Sequence, residues 1–378
     1  MHEGAIRFDR NELSGAFGDI GTVFPLLASM IIVAGLDAAS VLVMFGLMQI
    51  TTGLVYRLPM PVQPLKAMAV IVITQHLTSN VLYGGGLAIG VLMLILVLTG
   101  FIDWFGRIVP KAVIRGVQFG LGLQLSLLAL KEYVPSDSGF GFGLAAAGFL
   151  ITIVLLGNRR IPPAPILLLL GAAYGLVFKA DALLWTGAVE FHLPQFTVPQ
   201  KEDILTGLIV LALPQIPLSL GNSLLATRRI IKDLFPNKPI TIRKIAFTYA
   251  AMNLINPFFG GVPTCHGSGG IAGHYAFGAR TGGSVIFIGL LYLLSGLFLS
   301  SGFSTVIQLF PKPILGVILL FEGLTLIRFL TDLAESRADF TLAILVGLAA
   351  VTLPYGYLSG LIGGMLLAYL GKERFAQL

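Results

Sequence analysis

Two short segments concentrate the residue types that could do chemistry. The first is Leu58-Pro-Met-Pro-Val-Gln-Pro-Leu-Lys66, with three prolines in six residues. Proline fixes φ and has no N–H, so this run cannot continue a regular helix. It reads as an extended stretch ending where a helix opens near Pro64, an allowed first-turn residue. The free N–H groups and dipole of that helix start form a positive-potential site suited to an anion. Gln63 adds an amide donor, and Lys66 a full charge deep in an otherwise apolar segment. A lysine placed there needs a partner or a function. Substrate-site electrostatics, an ion pair with Asp19 and snorkelling to the interface are the three readings.

The second segment is Gly260-Gly-Val-Pro-Thr-Cys-His-Gly-Ser-Gly-Gly270. Five glycines and a proline again break a span at its start. Thr264, His266 and Ser268 offer hydroxyl and imidazole donors, and Gly267 and Gly269 let backbone N–H groups approach a ligand closely. No Gly-Lys-Ser/Thr follows, so this is not a Walker loop. Cys265 and His266 are too few ligands for a metal, and no cofactor is expected. Cys265 reads as a small packing residue, His266 as a donor or a pH-sensitive switch. Two such half-helix starts converging from opposite halves would make a donor-rich pocket for a small oxyanion.

Two further segments, 15–25 and 213–223, would flank these broken helices. Asp19 is an acid near the start of an apolar span: a proton carrier, a partner for Lys66, or a capping acid. Thr22 lies on the same span. Gln215, Asn222 and Ser223 are three uncharged hydrogen bonders on one span, which suggests a lined cavity. Glu322 is the other intramembrane acid, placed for proton coupling or for a structural pair.

The elements that must position these residues are membrane helices. The chain of 378 residues is 56% hydrophobic and 11% charged, with mean hydropathy +0.91. A soluble domain is closer to 25% charged. Fourteen charge-poor segments can be marked, each near the length that crosses about 30 Å of hydrocarbon. They are 13–34, 38–56, 62–80, 84–105, 111–130, 141–157, 163–179, 204–225, 242–258, 265–280, 284–302, 312–328, 339–353 and 356–370. Backbone groups in lipid need internal partners, so the expected class is all-α. The N-terminal stretch lacks the basic n-region of a cleaved signal peptide, so the first span is expected to be retained.

With the N-terminus inside, 19 of the 24 Lys and Arg fall on the cytoplasmic side and four outside, Lys66 lying within a span. This bias predicts an even number of crossings, cytoplasmic termini and an inner-membrane protein. It also accounts for the net charge of +6 without nucleic acid as a partner. The single cysteine excludes an intrachain disulfide.

The two halves match in order. Val109-Pro-Lys-Ala-Val-Ile114 and Phe310-Pro-Lys-Pro-Ile-Leu315 each open a span, and Gly122-Leu123 recurs as Gly323-Leu324. Met60-Pro-Val62 likewise corresponds to Val262-Pro-Thr264. Seven spans is an odd number, so the second copy must enter the membrane upside down, giving inverted repeats over 1–180 and 181–378. Interrupted spans at matching positions of such halves point to a transporter's midplane site.

These segments resemble the molybdate transporter family, relatives of the SulP sulfate permeases. The resemblance rests on Phe17-Gly-Asp-Ile-Gly-Thr-Val-Phe-Pro25, Pro59-Met-Pro-Val-Gln-Pro-Leu-Lys66, Leu213-Pro-Gln-Ile-Pro-Leu218, Asn222-Ser223 and Cys265-His-Gly-Ser-Gly-Gly270, continuing through His274–Gly282. It implies molybdate uptake, a seven-plus-seven inverted repeat with core and gate domains, and a pocket between residues 61–66 and 263–269. By analogy it extends to homodimers. Unlike many sulfate permeases, the chain stops soon after its last span, so regulation by a soluble C-terminal domain is not expected.

Sulfate or tungstate could replace molybdate, and an anion channel is the rival from another class. Nucleobase transporters of this architecture place acids on the eighth and tenth spans, whereas 204–225 and 265–280 contain none. No nucleophile–base or metal spacing supports an enzyme. Importing a dianion against an inside-negative potential costs about 2.3 kcal/mol per charge per 100 mV. Proton cotransport through Asp19, Glu322 or His266 is the simplest offset.

Overall fold

The computed structural model describes residues 5–101, 108–156, 163–178 and 189–370. The expected repeat boundary at 180/181, the ends of the fourth, sixth and seventh spans and the C-terminal tail lie outside these residues. In the first half, α1 is Arg10–Gly15, α2 Ile20–Ala34, α3 Ala38–Tyr56, β1 Val62–Pro64, α4 Lys66–Gln75, α5 Ser79–Thr99, α6 Lys111–Leu128, α7 Ser138–Leu155 and α8 Pro163–Phe178. In the second, α9 is Lys201–Leu234, α10 Ile242–Ile255, β2 Thr264–His266, α11 Ser268–Ala276, α12 Gly283–Phe298, α13 Ser300–Leu309, α14 Lys312–Arg328, α15 Arg337–Thr352 and α16 Gly356–Leu370.

Five stretches, α3, α5, α6 with its π-helical extension to Tyr133, α9, and α14 with its continuation to Leu333, are long and apolar enough to cross a bilayer. Shorter apolar helices supply the remainder. Local chemistry sets several boundaries. The Asp37 carboxylate accepts from the Ser40 N–H at 2.8 Å and opens α3, which ends where Arg57 turns left-handed at φ 52°. Thr241 caps α10 through the Lys244 N–H at 3.2 Å.

Three features depart from the expected spans. The first span is broken into α1 and α2 by the turn 16–19. The eighth, despite Pro214 and Pro217, is one continuous helix of 34 residues. Proline removes a donor and crowds the carbonyl one turn back. Here π-helical turns at Leu208–Ala212 and Ser219–Ala226 absorb that misfit on either side. The third departure is α13, a separate short helix bent 99° from α12 where the reading had one span ending at 302.

Packing divides the helices into two groups that each draw on both halves. In one, α3 lies on α12, and α10 and α9 lie on α5. In the other, α6 contacts α14, α15 and α16, while α14 contacts α7 and α8. The pairings are symmetric: α3 on α12 is matched by α10 on α5, and α15 on α6 by α7 on α14. The pair α6 and α14 sits on the symmetry axis. A Cβ added at Gly122 would come 2.5 Å from the Gly323 carbonyl, and one at Gly323 would come 2.7 Å from the Gly122 carbonyl. Only glycine permits that approach, so the recurring Gly-Leu pairs mark a real internal contact. The architecture is all-α with inverted halves, plus one two-stranded ribbon.

Candidate functional site

That ribbon is the centre of the site. β1 and β2 run antiparallel, pairing Val62 with His266, Gln63 with Cys265 and Pro64 with Thr264. The repeat sends Val62 to Thr264, Gln63 to Cys265 and Pro64 to His266. The first and last pairs therefore exchange, and the axis passes through Gln63–Cys265.

Each strand is held by an amide from the preceding helix of its own half. The Gln49 Nε2 donates to the Val62 carbonyl at 2.9 Å, and the Val62 N–H donates back to Gln49 Oε1 at 2.9 Å. Asn253 repeats the clamp on Thr264, with Nδ2 to the carbonyl at 2.6 Å and the Thr264 N–H to Oδ1 at 2.9 Å. Three-residue strands cannot satisfy their own backbone, and these amides complete the accounting. Neither residue was singled out from sequence, because an amide inside an apolar helix carries no motif. The repeat relation is the signal that could have found them.

Lys66 is the first residue of α4. The N–H groups of Ala67 and Met68 donate to Gln215 Oε1 at 2.9 and 3.3 Å. Gln215 Nε2 in turn donates to Ser219 Oγ at 3.1 Å, which shares a hydrogen bond with the Tyr249 hydroxyl. Gln215 is thus the cap of α4, and its amide is already spent. The start of α11 differs: Gly267 precedes it, and no side chain among the described residues accepts from its first N–H groups. Gly269 has open space where a side chain would be. A Cβ on Gly267 would fall on the Gln63 amide, and one on Gly270 would come 2.8 Å from Asp19 Oδ2.

Of the three readings of Lys66, the ion pair with Asp19 is replaced by other partners for both residues. Gln63 Nε2 donates to both Asp19 oxygens, at 2.8 and 2.7 Å, and both residues are buried. Lys66 Nζ lies 3.5 Å from Glu322 Oε2, with side chains 31% and 15% exposed. An amide is the partner that a short carboxylate reaches at the mouth of β1, whereas the longer Lys66 extends across to α14. Beside this pair opens a cavity of about 190 Å³, lined by Gly18, Gly21 and Thr22 from the broken first span and by Ile318, Glu322 and Thr325 from α14.

The structure brings Asp19, Thr22, Gln63, Lys66, Gly267, Ser268, Gly269 and Glu322 to one region. It turns others away. Thr264 is fully buried, and its hydroxyl accepts from Asn256 Nδ2 at 3.2 Å. His266 is fully buried, with Nε2 at 2.8 Å from Thr248 Oγ1 and its ring edge-on to Tyr56. Ser223, by contrast, is buried in the π-helical turn with its side chain hydrogen-bonded to Cys265 at the centre of the ribbon, and the backbone carbonyl of half-exposed Asn222 accepts from Thr227. Cys265 is buried and unbridged, as its packing role requires. The site can neutralise a small anion with one helix start and one ammonium, and no group of three or more metal-ligating side chains is found among the described residues.

Comparison with known proteins agrees with this geometry. Residues 11–125 and 207–326 match the family model described as "Molybdate transporter of MFS superfamily". Molybdate transporter 2 of Arabidopsis thaliana is 34% identical, over 88% of this chain and 82% of the relative. Molybdate transporter 1 of Chlamydomonas reinhardtii is 26% identical, over 93% of this chain and 90% of the relative. Among solved structures, the transmembrane domain of the cyanobacterial bicarbonate transporter BicA matches with TM-score 0.68 at 17% identity, covering 93% of this chain and 98% of that one. The murine anion transporter Slc26a9 in its inward-facing state matches with TM-score 0.70 at 15% identity, covering 97% and 68%. The fold is thus the seven-plus-seven inverted repeat of those neighbours, whereas halves of the major facilitator type are related by an axis along the membrane normal. The relatives are transporters, not enzymes. The chain belongs to the molybdate transporter family and is a multi-pass membrane anion transporter.

Proposed function

We propose that this protein is a secondary transporter of molybdate, held between the starts of α4 and α11. The observation that carries the reading is the β1–β2 ribbon, which fixes these helix starts side by side and puts Lys66 at the opening of one. The uncapped N–H groups of α11, Ser268, Thr22 and the Lys66 ammonium supply the attraction. Sulfate and tungstate share the tetrahedral dianionic form and compete for the same groups.

Protons offset the charge of the dianion. Glu322 neutralises Lys66 when ionised; a proton on Glu322 releases the ammonium to the substrate, which links protonation to binding. Asp19 is the second carrier, coupled to the pocket through Gln63. Rocking of the group containing α3, α5 and α12 against that containing α6 and α14 alternates access, and α2 and α4 lie along the boundary. The excess of Lys and Arg on one side supports cytoplasmic termini and an inner-membrane location. Uptake of radiolabelled molybdate into proteoliposomes under an imposed pH gradient, acid outside, tests the coupling. Acceleration by the gradient is expected, and rates indifferent to it contradict proton cotransport.

A further inference from the structure

A second charged cavity lies far along the chain from the Lys66 site. It has a volume of about 510 Å³ and is formed where the end of α5 meets the connection from α9 to α10. Its lining includes Leu98, Gly100, Arg228, Thr241 and Arg243. Both arginines are exposed, and neither guanidinium makes a hydrogen bond or ion pair with another described residue. Three neighbouring cations are engaged. Lys244 donates to the Val55 carbonyl at 3.2 Å and stands over the Tyr56 ring, and Lys238 donates to the Arg57 carbonyl at 3.4 Å. Arg229 is paired with Asp233 at 3.0 Å, so no acid of that helix turn is left to neutralise Arg228.

The cavity opens onto a lipid-shaped surface. On α5, Val91, Ile95 and Leu98 project at helical spacing and are 43%, 50% and 63% exposed. On α10, Phe247 lies one turn beyond Arg243 and is 53% exposed. The two helices pack against each other, and each carries exposed apolar side chains leading to the cavity that holds the arginines.

We propose that the cavity binds the headgroup of an anionic phospholipid, with Arg228 and Arg243 on the phosphate and the acyl chains along the α5–α10 seam. The guanidinium fork matches phosphate oxygens, and basic pockets between membrane helices favour such headgroups. The seam distinguishes a lipid from free phosphate, which would use the arginines alone. The proposal is independent of the transported substrate.

Native mass spectrometry of the purified full-length protein with added phosphatidylglycerol or phosphatidylcholine tests it. Phosphatidylglycerol should be retained selectively, and R228Q/R243Q should lower that retention about 30-fold. R228K/R243K, which keeps both charges but loses the forks, should fall between the parent and R228Q/R243Q, and R328Q/R337Q, which removes two exposed charges elsewhere, should retain the lipid. Undiminished retention in R228Q/R243Q, equal loss in R328Q/R337Q, or equal retention of phosphatidylcholine would overturn the proposal. Displacement of the lipid by excess inorganic phosphate would overturn it in favour of a free-anion site.

Discussion

Lys66 Nζ and Glu322 Oε2 lie 3.5 Å apart, joining the first residue of α4 in one half to the middle of α14 in the other. The pair ties α4, at the boundary between the two packing groups, to α14 in one of them. Its partial exposure places it in reach of a solute entering the adjoining cavity.

Replacing Glu322 with Gln removes the competing carboxylate while keeping the shape. Molybdate binding by E322Q should be as tight as in the parent or tighter, and uptake should lose its acceleration by an acid-outside gradient. Isothermal titration and proteoliposome uptake on the same preparation check both parts. Weakened binding with gradient dependence intact would show that Glu322 is structural.

The two amide clamps should be of comparable importance, because Gln49 and Asn253 do the same work in inverted halves. Gln49→Leu and Asn253→Leu each orphan a buried N–H and carbonyl, at about 1–3 kcal/mol per group. Thermal melting in detergent should show both variants destabilised to a similar degree. One unaffected variant would mean that water replaces its clamp.

Gly269 separates folding from transport. The space around its Cα is open, so Gly269→Ala should melt with the parent protein while narrowing the mouth of the pocket and lowering molybdate uptake. Gly122→Leu is the contrast: the Gly323 carbonyl 2.5 Å from its Cβ position leaves no room, and overpacking of at least 1–3 kcal/mol, by rough expectation, should destabilise the fold. Stable G122L would contradict the close α6–α14 contact.

Much of the frame was legible in the sequence. The proline-rich and glycine-rich segments announced the broken spans, since neither residue pattern can continue a helix, and their common offset announced the inverted halves. The partners were not legible. Helices that are apolar all round give no periodicity to orient a side chain, so Gln215 read as pocket lining when it caps α4. His266 read as a pocket donor or a pH-sensitive switch, and β2 places it beside Thr248 and Tyr56. An Asp19–Lys66 pair was one reading of two buried charges, and residue type alone could not show that Gln63 and Glu322 are the partners within reach.

The central claim is that Lys66 at the start of α4 draws a molybdate dianion into this pocket. The most direct test is saturable uptake of radiolabelled molybdate into proteoliposomes, with unlabelled sulfate as competitor and Lys66→Ala as control. Saturable uptake that resists excess sulfate and is abolished in K66A is expected, while the variant still melts as a folded protein. Uptake by folded K66A at the parental rate would contradict it, and strong competition by sulfate would make the protein a general oxyanion carrier instead.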